Sequence, residues 1–343
     1  MMNREADHSV LVRYDNLTRG YFGPGKAPVV RCKSGETVYM QIGSAFGVSA
    51  IDPHLTLRKY CERFHLDLSE PNLAAVVEAG DRLLEGSVEF DGGLCGPHIL
   101  TGPVYVEDAQ PGDVLKIDIL KIDVTVPFGY ILLRPQMGVL PDLVKEPHYC
   151  FVPYDVENMT ADFLGIQLPL EPFFGFMGVA TDKTLNSIPP GPFGGNLDIK
   201  YLRSGASLRL PVFQPGGLFY LGDGHGRQGN GEVCFTAFEC AGLSGVLRFT
   251  VEKGRTLRFP MVENETHYIT MGLDADLDLA MRYCVEETTD LLQDLCGLTF
   301  EESLTCASAA IDFEVTQAVD QVKGIHAMIP KKLVEQLAAV HRK

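Results

Sequence analysis

A turn glycine followed by three apolar residues in alternation recurs four times along the chain. The copies are Gly35 with Val38, Met40 and Ile42; Gly112 with Leu115, Ile117 and Ile119; Gly205 with Leu208, Leu210 and Val212; and Gly254 with Leu257, Phe259 and Met261. A period of two places alternate side chains on one face, so each copy predicts a turn feeding a half-buried strand. Their uneven spacing excludes a solenoid. In the second copy the apolar phase shifts at Leu120 and continues through Ile122 and Val124, the signature of a β-bulge. The fold class predicted is mainly β with α+β elements: jelly-roll or β-sandwich-like lobes plus C-terminal helices.

Helical spacing is concentrated near the C-terminus. Leu277, Ala280, Met281, Cys284, Val285, Thr288, Leu291, Leu292 and Leu295 form one stripe, which Gly297 stops. Thr299 and Glu302 form a capping-box pattern ahead of a second helix, and Pro330 suits the first turn of a short last one. The stretch 55–85 is expected to hold one or two more. A Gly/Pro-rich segment at 188–196 separates earlier from later strands, so two β-rich lobes are expected, at 1–170 and 171–343.

Composition narrows the function. The 343 residues carry 45 acidic against 29 basic side chains, a net charge of −16, and such a field repels nucleic acid and anionic membrane surfaces. No apolar run approaches the roughly 20 residues that span a bilayer. Arg4, Glu5, Asp7 and Arg13 interrupt the N-terminus where a signal peptide needs an apolar stretch, so a cytoplasmic location is expected. Nine cysteines without a C-x-x-C pair suit reduced, mostly buried thiols.

Two glycine-dense segments carry the candidate chemistry, 189–198 and 222–239. They supply Asn196, Asp198, Asp223, His225, Glu232 and Glu239 among residues that let backbone approach a ligand closely. Gly224, Gly226 and Gly229 satisfy G-x-G-x-x-G, but the following stretch to Cys240 alternates like a strand where a dinucleotide fold needs a helix. Asp223 and His225, two apart, share a face of an extended segment, and Asp198 can approach from a neighbouring loop. They either form a mixed O/N metal site or satisfy turn backbone groups, and spacing alone favours the second. Glu232 is either a general base or a solvated carboxylate at a strand start. Seven residues away on an unbroken strand, Glu239 faces the other side and reads as structural. Cys234 is either a nucleophile or, as the absence of a nearby lysine favours, an inert buried thiol. Of the lone histidines His98, His267 and His326, His98 is the best placed, just before Thr101-Gly-Pro-Val-Tyr105.

These residues, with the motif stretches 100–113, 172–180, 194–198, 210–213, 222–225, 231–234, 267–272 and 315–330, closely resemble the acetamidase/formamidase family in family order from about residue 98 to 332. The resemblance implies a mostly β architecture, ammonia-releasing hydrolysis of short linear amides, a homo-oligomer, and a divalent metal, zinc or else calcium. It reverses the preference on Asp198, Asp223 and His225, which match motif positions and are expected to hold the metal. Glu232 is then expected to carry the proton to departing ammonia, Asn196 to steady the oxyanion, and His98 and Arg227 to contact substrate. Three departures stand out. Residues 1–97 resemble the family only loosely, the chain has no tryptophan, and its glycine loop reads Gly226-Arg-Gln-Gly-Asn230 where small residues and an Asp are common. Arg227 could thereby shift the accepted amide toward a carboxylate-bearing or bulkier one. Two rivals remain, a non-catalytic ligand-binding or assembly protein on the same scaffold and a thiol amidase using Cys234.

Overall fold

The computed structural model describes residues 6–44, 57–85 and 96–342; Cys95, Leu55 and the charged residues at positions 4 and 5 lie outside them. Among the described residues the chain builds a nine-stranded and an eleven-stranded sheet, with a two-stranded ribbon beside them. The first runs His8–Val10, Thr37–Ile42, Leu243–Glu252, Val114–Val124, Ser207–Pro211, Met261–Glu263, His267–Asp274, Lys323–Pro330 and Asp312–Gln317. The second is centred on Phe219–His225, flanked by Phe173–Val179, Ile99–Val106 and the short Glu239–Cys240. Pairing is antiparallel apart from His8–Val10 on Thr37–Ile42 and Val30–Cys32 on Ile99–Val106.

The two sheets pack face to face through one apolar layer, as the alternation requires. Val38, Met40, Ile42, Ile117 and Leu247 from one face meet Phe174, Met177, Phe219 and Leu221 from the other, all essentially inaccessible to solvent. Truncating one of the phenylalanines to alanine at such a position costs about 3–5 kcal/mol. The segments expected as lobes, 1–170 and 171–343, each contribute strands to both large sheets.

Three of the four turn-strand repeats form as predicted, with Leu208, Leu210 and Val212 buried like the first two sets. The bulge is where the phase shift puts it: opposite Leu243–Glu252 the register jumps from Lys121 to Ile119, leaving Leu120 over and half exposed. The fourth repeat forms only in part. Phe259 and Met261 are buried, but the strand starts at Met261, because residues 254–260 make turns instead.

The helices follow their signals. Leu277–Cys296 is capped by Asp276, whose carboxylate accepts from two backbone N–H groups, and ends at Gly297 in a left-handed conformation. Phe300–Ala310 starts on the reciprocal Thr299–Glu302 box, and Pro330 is the N-cap of Lys331–His341 rather than its first residue. Leu57–Arg63 and Pro71–Glu85 occupy the described part of the earlier helical stretch. At Gly272 a Cβ would lie 2.1 Å from the Ala280 carbonyl and 2.4 Å from the Cys284 nitrogen, so the motif glycine serves close helix-on-strand packing. Every described cysteine is free.

Candidate active site

The strand Phe219–His225 is buried along its whole length and delivers Asp223 and His225 to the middle of the second sheet. Its neighbour Phe173–Val179 places Gly175 directly against them, where a Cβ would stand 2.4 Å from Asp198 Oδ1 and 2.7 Å from Asp223 Oδ2. Only glycine leaves that space to the two carboxylates. Asp198 follows the short strand Gly194–Asn196, and Glu232 lies beyond the loop after His225. Asp198, Asp223 and Glu232 all hold left-handed backbone, at φ 49°, 49° and 45°. Non-glycine residues rarely adopt it, and such strain is tolerated where it aims side chains at a site.

One enclosed cavity is lined by Pro97, His98, Ile188, Asn196, Asp198, Asp223, Glu232, Phe235, Glu239 and Asp320. Six of the residues named from sequence line it, and a seventh, His225, touches this group, with Nε2 3.3 Å from Asp223 and 3.4 Å from Glu239 and Nδ1 3.7 Å from Asp198. His98 Nε2 is 4.0 Å from Asp223, and its Nδ1 pairs with Ser187 Oγ at 2.8 Å.

Glu239 corrects the sequence reading. Residues 232–238 are not a strand but turns, with Phe235 also left-handed at φ 88°, so Glu232 and Glu239 both reach the cavity. Asp320, just past Asp312–Gln317, carries no local signal of a site; its one mark in the sequence is its place in the 315–330 motif. Two expected residues are elsewhere. Arg227 pairs with Glu171 at 2.8 Å and donates to the Pro169 carbonyl, and it lines a separate groove. Cys234 lines that same groove, its thiol donating to the Thr236 carbonyl at 3.2 Å, so it does not face the carboxylates. His267 pairs with Thr266, and His326 is buried against Thr316. Asn230 bonds Glu314 and stays outside the cavity.

The charge balance of the cavity is unusual. Five carboxyls and two imidazoles meet, and no lysine or arginine lines the space among the described residues. Asn196 Oδ1, Asp198 Oδ1, Glu232 Oε2, Glu239 Oε2 and Asp320 Oδ2 are buried without a hydrogen-bond partner. Buried polar atoms are ordinarily paired, because each orphan costs about 1–3 kcal/mol or more.

Burial and the mutual repulsion of these carboxyls shift their pKa values in keeping with this crowding. Burial and then the Asp223 charge push Asp198 up to about 7. Burial raises Glu239 to about 8 against the pull of His225, with Asp223 adding to the rise. Glu232 and Asp320 sit well above the usual carboxylate range, through burial first and Asp198 next. Burial pushes Asp223 the same way, but His225 and His98 outweigh it and hold Asp223 low. Burial alone would lower His225, yet Asp223 and Glu239 lift it well above the normal histidine value. Burial lowers His98 despite Asp223.

This donor set suits a divalent cation. Asp223, His225 and Glu239, and likewise Asp198, His225 and Glu232, offer ligand atoms within 4.8 Å of one another. Gln228 decides between them. Its Oε1 meets His225 Nδ1 at 2.9 Å while its amide nitrogen donates to the Asp198 carbonyl at 2.7 Å, which makes Nδ1 the N–H side of the ring. Nε2, which faces Asp223 and Glu239, is then the nitrogen that could ligate an ion once its proton is displaced.

The chain is 25% identical to a formamidase of Methylophilus methylotrophus over 256 residues, covering 52% of this chain and 61% of the relative. It is 26% identical to an acetamidase of Mycolicibacterium smegmatis over 215 residues, covering 43% and 52%. The chain thus spans about half to six-tenths of the length of these curated relatives. The crystal structure of an acetamidase from Bacillus halodurans superposes with a TM-score of 0.77 at 27% identity, covering 96% of this chain and 99% of that one. The described part of the N-terminal region, loosely similar in sequence, therefore lies within the shared fold. Residues 90–187 and 181–336 match the model of the Acetamidase/Formamidase family, and with the fold and the motif residues gathered at one cavity, the chain belongs to that family.

Proposed function

We propose that the chain is a metal-dependent amidase that hydrolyses the C–N bond of small linear amides and releases ammonia. The observation that carries this reading is the buried group of five carboxyls and two histidines, with orphaned oxygens and no lysine or arginine among the described lining residues. An amide resists hydrolysis because its carbonyl is resonance-stabilised and its amine leaves poorly. A site must therefore activate water, polarise the carbonyl and protonate nitrogen.

Asp223, His225 and Glu239 would hold the ion, with Asp198 beside them; a mixed imidazole and carboxylate set favours zinc over calcium. When bound, such an ion supplies Lewis acidity and lowers the pKa of a water toward neutrality. The protein's own groups do the rest. Glu232, held protonated by burial and by Asp198, is the proton carrier to the departing nitrogen. Asp320 and Asp198 face it across the cavity and can exchange that proton. Asn196 presents an unpartnered oxygen, an acceptor, so we assign it to the substrate N–H group rather than to the oxyanion. His98, buried and held neutral, is placed to donate to substrate from the Asp223 side.

Ammonia release from formamide and acetamide by zinc-loaded protein, lost on chelation, is the expected result. Thermal stabilisation by amides without turnover would instead support a binding protein on this scaffold. Loss of turnover with iodoacetamide, independent of metal, would support Cys234. We further expect a homo-oligomer in the cytoplasm, and sedimentation of a single-chain species only would count against the first part. No described helix is long and apolar enough to cross a membrane.

A further inference from the structure

Two side chains of the glycine-rich loop after His225 reach different partners. Gln228 is buried, its Oε1 accepting from His225 Nδ1 at 2.9 Å while its amide nitrogen donates to the Asp198 carbonyl at 2.7 Å. Arg227 stays partly exposed and donates to Glu171 at 2.8 Å and to the Pro169 carbonyl at 2.9 Å. Glu171 takes Arg203 on its other oxygen at 2.6 Å, and Arg203 also donates to the Lys200 carbonyl. The stretch from Asp198 to Arg203 and the loop after His225 are thus joined twice, inside the fold by Gln228 and at the surface through Glu171. The loop's backbone is anchored as well. Gly226 N–H donates to the Phe238 carbonyl, Phe238 N–H to the Arg227 carbonyl, Glu171 N–H to the Gly226 carbonyl, and Gly231 N–H to the Thr316 carbonyl. Those bonds set the loop's course, and the side chains then aim at what the loop must hold.

Both held residues need it. Asp198 keeps left-handed backbone at φ 49°, and such strain persists only where the surroundings over-determine it. The His225 ring meets Phe173 edge-on, with centroids 5.0 Å apart at 88°. Apolar packing cannot tell the two ring nitrogens apart; the bond to Gln228 can. Partly exposed ion pairs such as those of Glu171 add little to stability, so their use is direction rather than strength. We propose that Gln228, backed by Glu171, Arg203 and Arg227, is a brace that locks the His225 ring and the Asp198 main chain in ion-holding geometry, which makes Arg227 a positioning residue although it lies outside the cavity. This rests on the metal reading of the site. Field and brace predict opposite signs at Arg227: removing a positive charge favours a nearby cation, whereas slackening the brace weakens its binding.

The experiment is a zinc titration of chelator-stripped wild type, Gln228→Met and Arg227→Met, together with NMR of the His225 Nδ1–H proton in the metal-free proteins. Thermal unfolding checks that each is folded, and Arg227→Met, at a partly exposed side chain, guards against a folding defect in the buried Gln228→Met. Zinc affinity should fall about 10–100-fold in Gln228→Met, as when the outer partner of a ligating histidine is removed. It should fall about 2–30-fold in Arg227→Met. The Nδ1–H proton should exchange with water faster in both variants than in wild type. Affinity unchanged in folded Gln228→Met, or unchanged or raised in Arg227→Met, would overturn the brace. Should wild type bind no zinc, the metal reading fails and the exchange rate decides alone. Faster exchange in Arg227→Met then supports the brace, and an unchanged rate overturns it.

Discussion

Two groups of charge in this molecule, one partly and one fully buried, are handled in opposite ways. On the first sheet Arg209 reaches Glu252 at 3.0 Å and Glu263 at 2.7 Å; Lys331 meets Glu263 at 2.7 Å, and Arg255 meets Glu252 at 3.2 Å. Two acids are matched by three bases. Burial pushes Glu263 up, but Lys331 and Arg209 outweigh it and keep its carboxyl below the usual range. In the cavity of the second sheet five acids face two histidines, four carboxyls are driven upward, and each of those four has an oxygen without a partner. Charges that the chain matches itself hold strands in register. Charges it leaves unmatched mark the candidate binding site.

The largest effects should come from the unmatched group. His225→Ala is expected to lose the bound ion and, with it, turnover by at least about a hundredfold in an ammonia assay, while Glu232→Gln keeps the ion but loses about 10²–10⁴ in kcat. Circular dichroism and thermal unfolding should show both variants folded. Full activity in His225→Ala would remove this distinction between the two groups.

Arg209→Met should act on stability alone. It strips charged hydrogen bonds from two partly buried acids and should cost about 1.5–3 kcal/mol in urea unfolding, softened because Lys331 and Arg255 remain. Amide turnover per folded molecule should be unchanged. Loss of catalysis without loss of stability would mean that the matched group is not structural.

A smaller effect of opposite sign sharpens the contrast. Asp198 and Glu239 have folded values near 7 and 8, above their unfolded ones, so the metal-free fold binds more protons than the unfolded chain through that window. Their contribution to stability is complete below about pH 4 and is lost as pH rises through 7 to 8. Glu232, Asp320 and His225, also raised, act in the same direction, while His98, lowered, opposes it in part; Asp223, lowered, changes its charge only below about pH 4 and takes no part in this window. Metal-free protein should therefore melt at a lower temperature at about pH 8 than at about pH 5.5, and Asp198→Asn should blunt the fall. A melting temperature that rises steadily over that range would contradict the crowding.

Much of this is legible in the sequence, for identifiable reasons. Strand alternation, the Leu120 bulge, the Thr299–Glu302 box and Gly297 are local signals, and local physics decides them. Asp223 and His225 stand out through a two-residue spacing that a strand preserves. Glu239 misleads because 232–238 has the composition of a strand, whereas left-handed turns at Glu232 and Phe235 swing both acids to one side. Asp320 is silent because nothing near it marks a site; long-range pairing of Gly231 with the Thr316–Ala318 stretch brings its segment alongside the Glu232 loop. Arg227 looks available for substrate, but Glu171, 56 positions earlier, claims it.

The most direct test of the unmatched charges is a calorimetric titration of chelator-stripped protein with zinc, run in two buffers of different ionisation heat. Divalent cations displace protons from carboxyls held above their normal range, so the two buffers separate binding from proton release. The expected result is saturable binding of at least one ion per chain with net proton release, both lost in His225→Ala. Absence of saturable binding, or binding that His225→Ala leaves intact, would contradict a metal centre built on Asp223, His225 and Glu239.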